Sequence, residues 1–368
     1  MARPIRARID LGAIRANYRH AKAQAPSARA LAVVKADAYG HGAVTVARAL
    51  APEADAFAVA CSEEALELRD AGITNPIVLL EGLFHPDELA DLERADLTPV
   101  AHNHEQLEWL CQARPARPFD VWLKMDTGMH RLGLAPTEFA AAHARLAACP
   151  HVAGIVLMTH LARADEPGSA FTPAQLACFS TYAGHLPGAR SIANSAAILG
   201  WPDAHGDWLR PGIMLYGACP FGEEHPSAAA LRPTMKLESQ LIGVRELAVG
   251  EAIGYGGRFV CEQPTRVGVV AAGYADGYPR HARDGTPVAV NGRPSRVIGR
   301  VSMDMLTVDL SDQPDAGPGN PVQLWGDLVP ANAVAAASDT IAYQLFTGLS
   351  RRVPLYYENT STLGRAAK

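Results

Sequence analysis

Short apolar runs separated by longer Ala/Leu/Glu/Arg stretches dominate the first two thirds of the chain. The runs are ALAVV (30–34), AFAVA (56–60), PIVLL (76–80), LTPVA (97–101), FDVWLKM (119–125), AGIVLM (153–158), ARSIAN (189–194) and LRPGIMLYG (209–217). They are nearly continuous in apolar character, as expected of strands covered on both faces. The stretches between them are long enough for a returning helix, so the pattern predicts parallel strands alternating with helices. Eight such units over about 190 residues fit a (β/α)8 barrel better than an open doubly wound sheet.

Beyond about residue 232 the texture changes to short β-rich runs with Gly and Pro turns: MKLESQLIGVREL, RVGVVAAGY, PVAVNGR, SRVIGRV, MLTVDL and PVQLW. A helical patch (ANAVAAASDTIAYQLFTGLS) and a strand near VPLYY follow. The predicted organisation is a barrel over 1–232 and a mostly β domain over 233–368, with no repeat of fixed period.

Composition narrows the class without naming a chemistry. The 368 residues carry 33 Lys+Arg against 38 Asp+Glu, a net charge of −5, which argues against a backbone-dominated nucleic-acid binder. With 48% hydrophobic and 19% charged residues the chain is expected to fold as an ordinary globular protein. The N-terminal stretch holds five arginines but no signal-like apolar run, and nothing approaches the ~18 apolar residues of a membrane span, so a soluble cytoplasmic protein is expected. The six cysteines lie far apart with no CxxC pair and read as free thiols. His102 and His104 lack a nearby third ligand, and no metal is expected.

In barrels of this kind the chemistry sits at the C-terminal ends of the strands. There the sequence places Lys35 and Tyr39 after the first run, Lys124 and Arg131 after the fifth, and His160 after the sixth. Asn194 and Ser195 follow the seventh, and Arg210, Gly212 and Ile213 belong to the eighth. A lone strand-end lysine more often snorkels to solvent, but in a partly dry mouth its pKa falls and its amine becomes nucleophilic. A hydroxyl and main-chain N–H groups after the last two strands suit a phosphate. Lysine plus phosphate cup suggests a phosphorylated carbonyl cofactor, for which pyridoxal 5'-phosphate is the economical choice, although aldolases also use barrel lysines.

The segments AVVKADAYGHG, WLKMDTGMHRLG, MTHLARADEP, ANSAAIL, RPGIMLYG, IGYGG, AAGYADGYPR and GRVSMDM resemble, in order, the motifs of the bacterial alanine racemase family, fold-type III pyridoxal phosphate enzymes. Ser302 departs from the cysteine often found there. The resemblance implies a barrel plus a β domain in a head-to-tail homodimer, with each active site completed by the partner. It makes Lys35 the lysine bonded to the cofactor, and Tyr39, Ser195, Gly212, Ile213 and Tyr343 the phosphate cup, with Asn194 beside it. Arg210 would face the pyridine nitrogen with His160 next to it, and Arg131 the substrate carboxylate. From the second domain, Tyr255 would be the second catalytic base, Met303 a main-chain donor to the carboxylate, and Tyr274 and Asp304 part of the access corridor. Lys124 matches a lysine often carbamylated in the family.

The implied reaction is interconversion of L- and D-alanine by two bases, Lys35 on one face of Cα and Tyr255 of the other subunit on the opposite face. It would supply D-alanine for peptidoglycan or serve alanine catabolism. Arginine, which keeps its proton, would leave the ring nitrogen unprotonated and favour reprotonation at Cα over transamination. A broader small-amino-acid (serine) racemase and a fold-type III decarboxylase or aldolase are the alternatives. A non-enzymatic pyridoxal phosphate carrier would be a single barrel without the second domain.

Overall fold

The computed structural model describes residues 3–222 and 225–359. The chain opens with strand β1 (Arg6–Asp10), and Asp10 then caps a helix over Leu11–Gln24 by accepting the Ala13 amide at 3.0 Å. Leu11, Ile14, Tyr18 and Ala21 make that helix's buried stripe. Eight strands follow: β2 (Arg29–Val33), β3 (Ala56–Val59), β4 (Ile77–Leu79), β5 (Leu97–Ala101), β6 (Phe119–Lys124), β7 (Val152–Met158), β8 (Ala189–Ser191) and β9 (Trp208–Leu209).

These pair in parallel in the order β8-β7-β6-β5-β4-β3-β2-β9. The seam between β8 and β9 is closed by main-chain bonds from Asp207 to the Arg190 carbonyl (2.8 Å) and from Arg210 to the Ala193 carbonyl (3.0 Å). The result is a nearly closed eight-stranded parallel barrel with helices outside, as the apolar runs predicted. The eighth run is the weakest match: only Trp208 and Leu209 pair, and Ile213–Tyr216 turns into a 3-10 helix. Pro211 has no N–H to donate, and although its carbonyl accepts the Val33 amide at 3.1 Å the regular pairing goes no further.

The remaining strands are β10 (Met235–Leu247), β11 (Ala252–Ile253), β12 (Phe259–Val260), β13 (Thr265–Val270), β14 (Pro287–Val290), β15 (Arg293–Arg296), β16 (Leu306–Asp309), β17 (Pro321–Trp325) and β18 (Leu355–Glu358). The thirteen-residue β10 is the spine, antiparallel to β1, β13 and β17. The barrel span of 1–232 expected from the sequence includes β1, but β1 does not belong to the barrel. It lies in the second sheet, antiparallel to β10 and parallel to β18. Its alternating Arg6-Ala7-Arg8-Ile9 suits a sheet with one wet face, unlike the apolar barrel strands.

Candidate active site

A cavity of about 610 Å³ opens at the C-terminal ends of the barrel strands. Lys35, Tyr39, Lys124, Arg131, His160, Asn194, Ser195, Arg210, Gly212, Ile213 and Tyr343 all line it. Sequence reasoning missed Val33, Ala36, Leu80, Glu81, Leu132, Met158 and Thr347. Leu80 and Glu81 follow β4 and Met158 ends β7, so the strand-end rule, applied to every strand, finds those three.

Lys35 and Tyr39 reach the cavity through an unusual backbone. Ala36, Asp37, Ala38 and Tyr39 all have φ between 52° and 53° and ψ between 43° and 53°, one turn of left-handed helix made without glycine. Such a turn costs about 1–2 kcal/mol per residue and must be held from outside. Glu64 does so with both oxygens, accepting the Ala36 and Ala60 amides at 2.7 Å each. Asp37 accepts the Ala43 amide at 2.6 Å, and the His41 ring lies 2.9 Å from both the Tyr39 carbonyl and the Thr234 hydroxyl. Tyr39 then stacks on Tyr216 with ring centroids 4.6 Å apart.

Arg131 is delivered by a closed loop after β6. Asp126 accepts the Gly128 and His130 amides at 2.9 and 3.0 Å, and the Leu134 amide returns to the Lys124 carbonyl at 2.9 Å. Gly133 permits the return, since at φ +137° a Cβ would meet the Asp126 nitrogen at 2.4 Å.

Arg210 is the most tightly held cation. Nη1 donates to the Ser191 hydroxyl at 2.7 Å, and Nη2 donates to the Thr159 carbonyl (2.7 Å), the Ile192 carbonyl (3.1 Å) and His160 Nδ1 (3.2 Å). A guanidinium only donates, so His160 Nδ1 is the acceptor and the ring is neutral. Burial, then the Arg210, Lys124, Arg131 and Lys35 charges, hold the imidazole well below its usual range. Burial alone lowers Arg210 to about 9, still cationic at neutral pH. Burial, followed by Arg210, Arg131 and Lys35, lowers the Lys124 ammonium to about 8.

Between β8 and β9, Ser195 Oγ accepts the Gly212 and Met214 amides at 2.9 and 3.3 Å. The Tyr39 hydroxyl packs against Gly212, where an added Cβ would meet it at 2.8 Å. Burial pushes Tyr39 up to about 12 and Tyr343 higher still, so both stay neutral donors. Four cations, two phenols and a serine thus face a space whose lining carries one carboxylate, Glu81. That donor set fits a ligand with a phosphate and a carboxylate.

Tyr255, Tyr274, Met303 and Asp304 lie elsewhere, on the second domain. Tyr255 tips the turn between β11 and β12 and is 70% exposed, and Tyr274 and Met303 are exposed as well. His102 contacts the Glu81 carbonyl (2.9 Å) while His104 pairs with Glu138 (3.2 Å). Among the described residues no helix is long and apolar enough to cross a membrane.

Comparison with known proteins places the fold in one family. The alanine racemase N-terminal domain family matches residues 9–220 and the C-terminal domain family matches 234–357. The chain is 58% identical over 355 residues to the alanine racemase of Pseudomonas syringae pv. syringae, covering 96% of this chain and 99% of that one. Identity and coverage are the same for the catabolic alanine racemase of Pseudomonas aeruginosa. The crystal structure of the biosynthetic alanine racemase of Pseudomonas aeruginosa superposes with a TM-score of 0.94 at 49% identity, over 97% of this chain and 100% of that one. A Bartonella henselae alanine racemase, described with covalently bound pyridoxal phosphate, matches with a TM-score of 0.88 at 32% identity over 96% of this chain and 99% of its own. The chain belongs to the alanine racemase family, pyridoxal phosphate-dependent isomerases that interconvert L- and D-alanine.

Proposed function

We propose that racemisation here uses two proton-transfer groups from different subunits of a homodimer, Lys35 of one protomer and Tyr255 of its partner. Inverting Cα requires taking its proton from one face and returning a proton to the other, which one side chain reaches poorly. The observation that carries this reading is the position of Tyr255, on an exposed tip and absent from the lining of its own subunit's cavity. A base so placed serves a neighbouring copy, and Tyr274 and Met303, also exposed on the second domain, would be covered by the same contact.

When bound, pyridoxal phosphate supplies the electron withdrawal that makes the Cα proton acidic. Lys35 would hold it covalently, while Tyr39, Ser195, Tyr343 and the main chain of Gly212 and Ile213 would hold its phosphate, with Asn194 alongside. Arg210 would face the ring nitrogen, kept in place by Ser191, Thr159, Ile192 and His160. Arg131 and the Met303 main chain would take the substrate carboxylate, and Tyr274 and Asp304 would line the approach. A constriction formed by Tyr255, Tyr274 and Met303 selects a small side chain, alanine before serine.

Lys124 is suited to carbamylation. With its ammonium lowered to about 8, a usable fraction is neutral amine at physiological pH. That amine adds to carbon dioxide, an N–C bond forms and a proton leaves to solvent. The resulting carbamate would accept from Arg131 and reduce the crowding of four cations. The six free cysteines fit the reducing cytoplasm.

Mixing two inactive variants tests the shared site. In a heterodimer of Lys35→Ala and Tyr255→Phe, one of the two sites holds both native groups if the site is composite, so randomly reassorted dimers recover about a quarter of native activity. If both groups act within one chain, mixing recovers nothing.

A further inference from the structure

Four charged side chains from distant parts of the chain meet beneath the Tyr274 turn. Asp276 is fully buried, and its Oδ2 accepts Arg3 Nη2 at 2.7 Å and the Gly273 amide at 3.0 Å. Its Oδ1 lies 3.3 Å from Arg352 Nε. The other end of Arg352 donates to Asp304 Oδ1 at 2.6 Å, and Arg3 Nη1 lies 3.8 Å from the same oxygen. Arg3 Nη2 also reaches the Asp304 and Ala271 carbonyls at 3.4 Å each. Two guanidinium groups therefore bridge two carboxylates in a closed ring.

The ring supports one particular ridge. The Tyr274 amide donates to the Ser302 carbonyl at 3.0 Å and the Ala275 amide to the Met303 carbonyl at 2.9 Å. Turn and loop are thus zipped together, with Asp276 under one and Asp304 in the other. The fold brings the two arginines side by side: β1 and β18 pair in parallel with Ala7 opposite Leu355. Arg3 and Arg352 precede those partners by a few residues and emerge at the same end of the two strands. Asp276 is the buried member and Asp304 the half-exposed one, and each planar guanidinium lies between the two.

We propose that Arg3 and Arg352 are positioning residues for the substrate-carboxylate subsite, acting through Asp276 and Asp304 to fix the height of the Tyr274–Met303 ridge that enters the neighbouring subunit. This rests on the composite-site reading above. Neither arginine touches substrate. Their effect is to keep the Met303 main chain where it meets a carboxylate, so loosening them weakens substrate capture and spares the proton transfers at Lys35 and Tyr255.

Arg3 is part-exposed near the N-terminus, and Arg352 stays beside Asp276 when Arg3 is changed, so Arg3→Gln is the milder of the two perturbations and provides the cleaner test. For the cofactor-loaded Arg3→Gln enzyme, KM for L-alanine rises about fivefold, the equivalent of one hydrogen bond, while kcat stays within about twofold and the visible absorbance of the cofactor is unchanged. Arg3→Lys, which keeps a cation on Asp276, recovers most of the native KM. Sedimentation velocity on the same samples shows dimers throughout. An unchanged KM in a dimeric Arg3→Gln enzyme overturns the inference alone. A parallel fall in kcat with loss of dimer also overturns it, because the ring then holds the assembly rather than the subsite. A fully active native monomer overturns the composite-site reading, and this inference with it.

Discussion

Substituting glycine at Ala36 is expected to make the protein more stable, against the ordinary effect of removing a methyl from a helical residue. Ala36 opens the left-handed turn at φ 52° and is exposed at the cavity rim, so glycine there loses little buried area. The left-handed conformation costs an L-residue about 1–2 kcal/mol, whereas glycine loses roughly 0.5–1 kcal/mol of unfolded-state entropy. The difference is a net stabilisation of roughly 0.5–1 kcal/mol. Ala141, exposed in the right-handed helix Pro136–Ala147, is the matched control. Glycine there is expected to destabilise by about 0.5–1 kcal/mol, so the two variants diverge by about 1.5 kcal/mol. Reversible urea unfolding of the cofactor-free protein, at one fixed protein concentration, reads this directly as a shift in midpoint at constant slope. The stabilised Ala36→Gly enzyme is also expected to turn over more slowly, because the peptide it loosens directly follows Lys35. If both substitutions destabilise alike, the left-handed turn is not a strained element and the account of how Lys35 is held fails.

Three further outcomes are expected. Burial lowers His41 to about 4, so between pH 6.5 and 4 the unfolded chain takes up a proton that the folded chain refuses. Stability should therefore fall as pH falls through that window, by about 3 kcal/mol in all, with a slope missing from His41→Gln, and equal slopes in both proteins would refute it. Borohydride reduction of the loaded enzyme should fix a pyridoxyl group on Lys35, and peptide mapping that finds it on Lys124 removes Lys35 from its role. Tyr255→Phe should suppress solvent-deuterium incorporation from one alanine enantiomer far more than from the other, whereas equal losses would contradict the two-base scheme.

The barrel was legible because its strands carry a signal that survives without partners: apolar runs such as ALAVV and PIVLL, bounded by helix-forming stretches, are what strands covered on both faces require. Strand ends then led to Lys35, Lys124 and Arg210 by a rule of the fold, and motif resemblance added the second-domain residues that geometry in one chain leaves apart. What escaped reading depends on context that no local pattern encodes. KADAYG favours a right-handed turn by propensity, and the left-handed one is held by Glu64 and His41 from outside it and by the Asp37 side chain on the Ala43 amide. The ring of Arg3, Asp276, Asp304 and Arg352 spans separations of up to 301 residues and joins four charges, of which the sequence singles out only Asp304, as part of the access corridor. Both unread features concern how a reactive group is held rather than which group reacts. Identity at a site is written in residue type near a strand end. Precision is written in the packing of remote side chains, and a substitution such as Arg3→Gln can alter the second while leaving every motif intact.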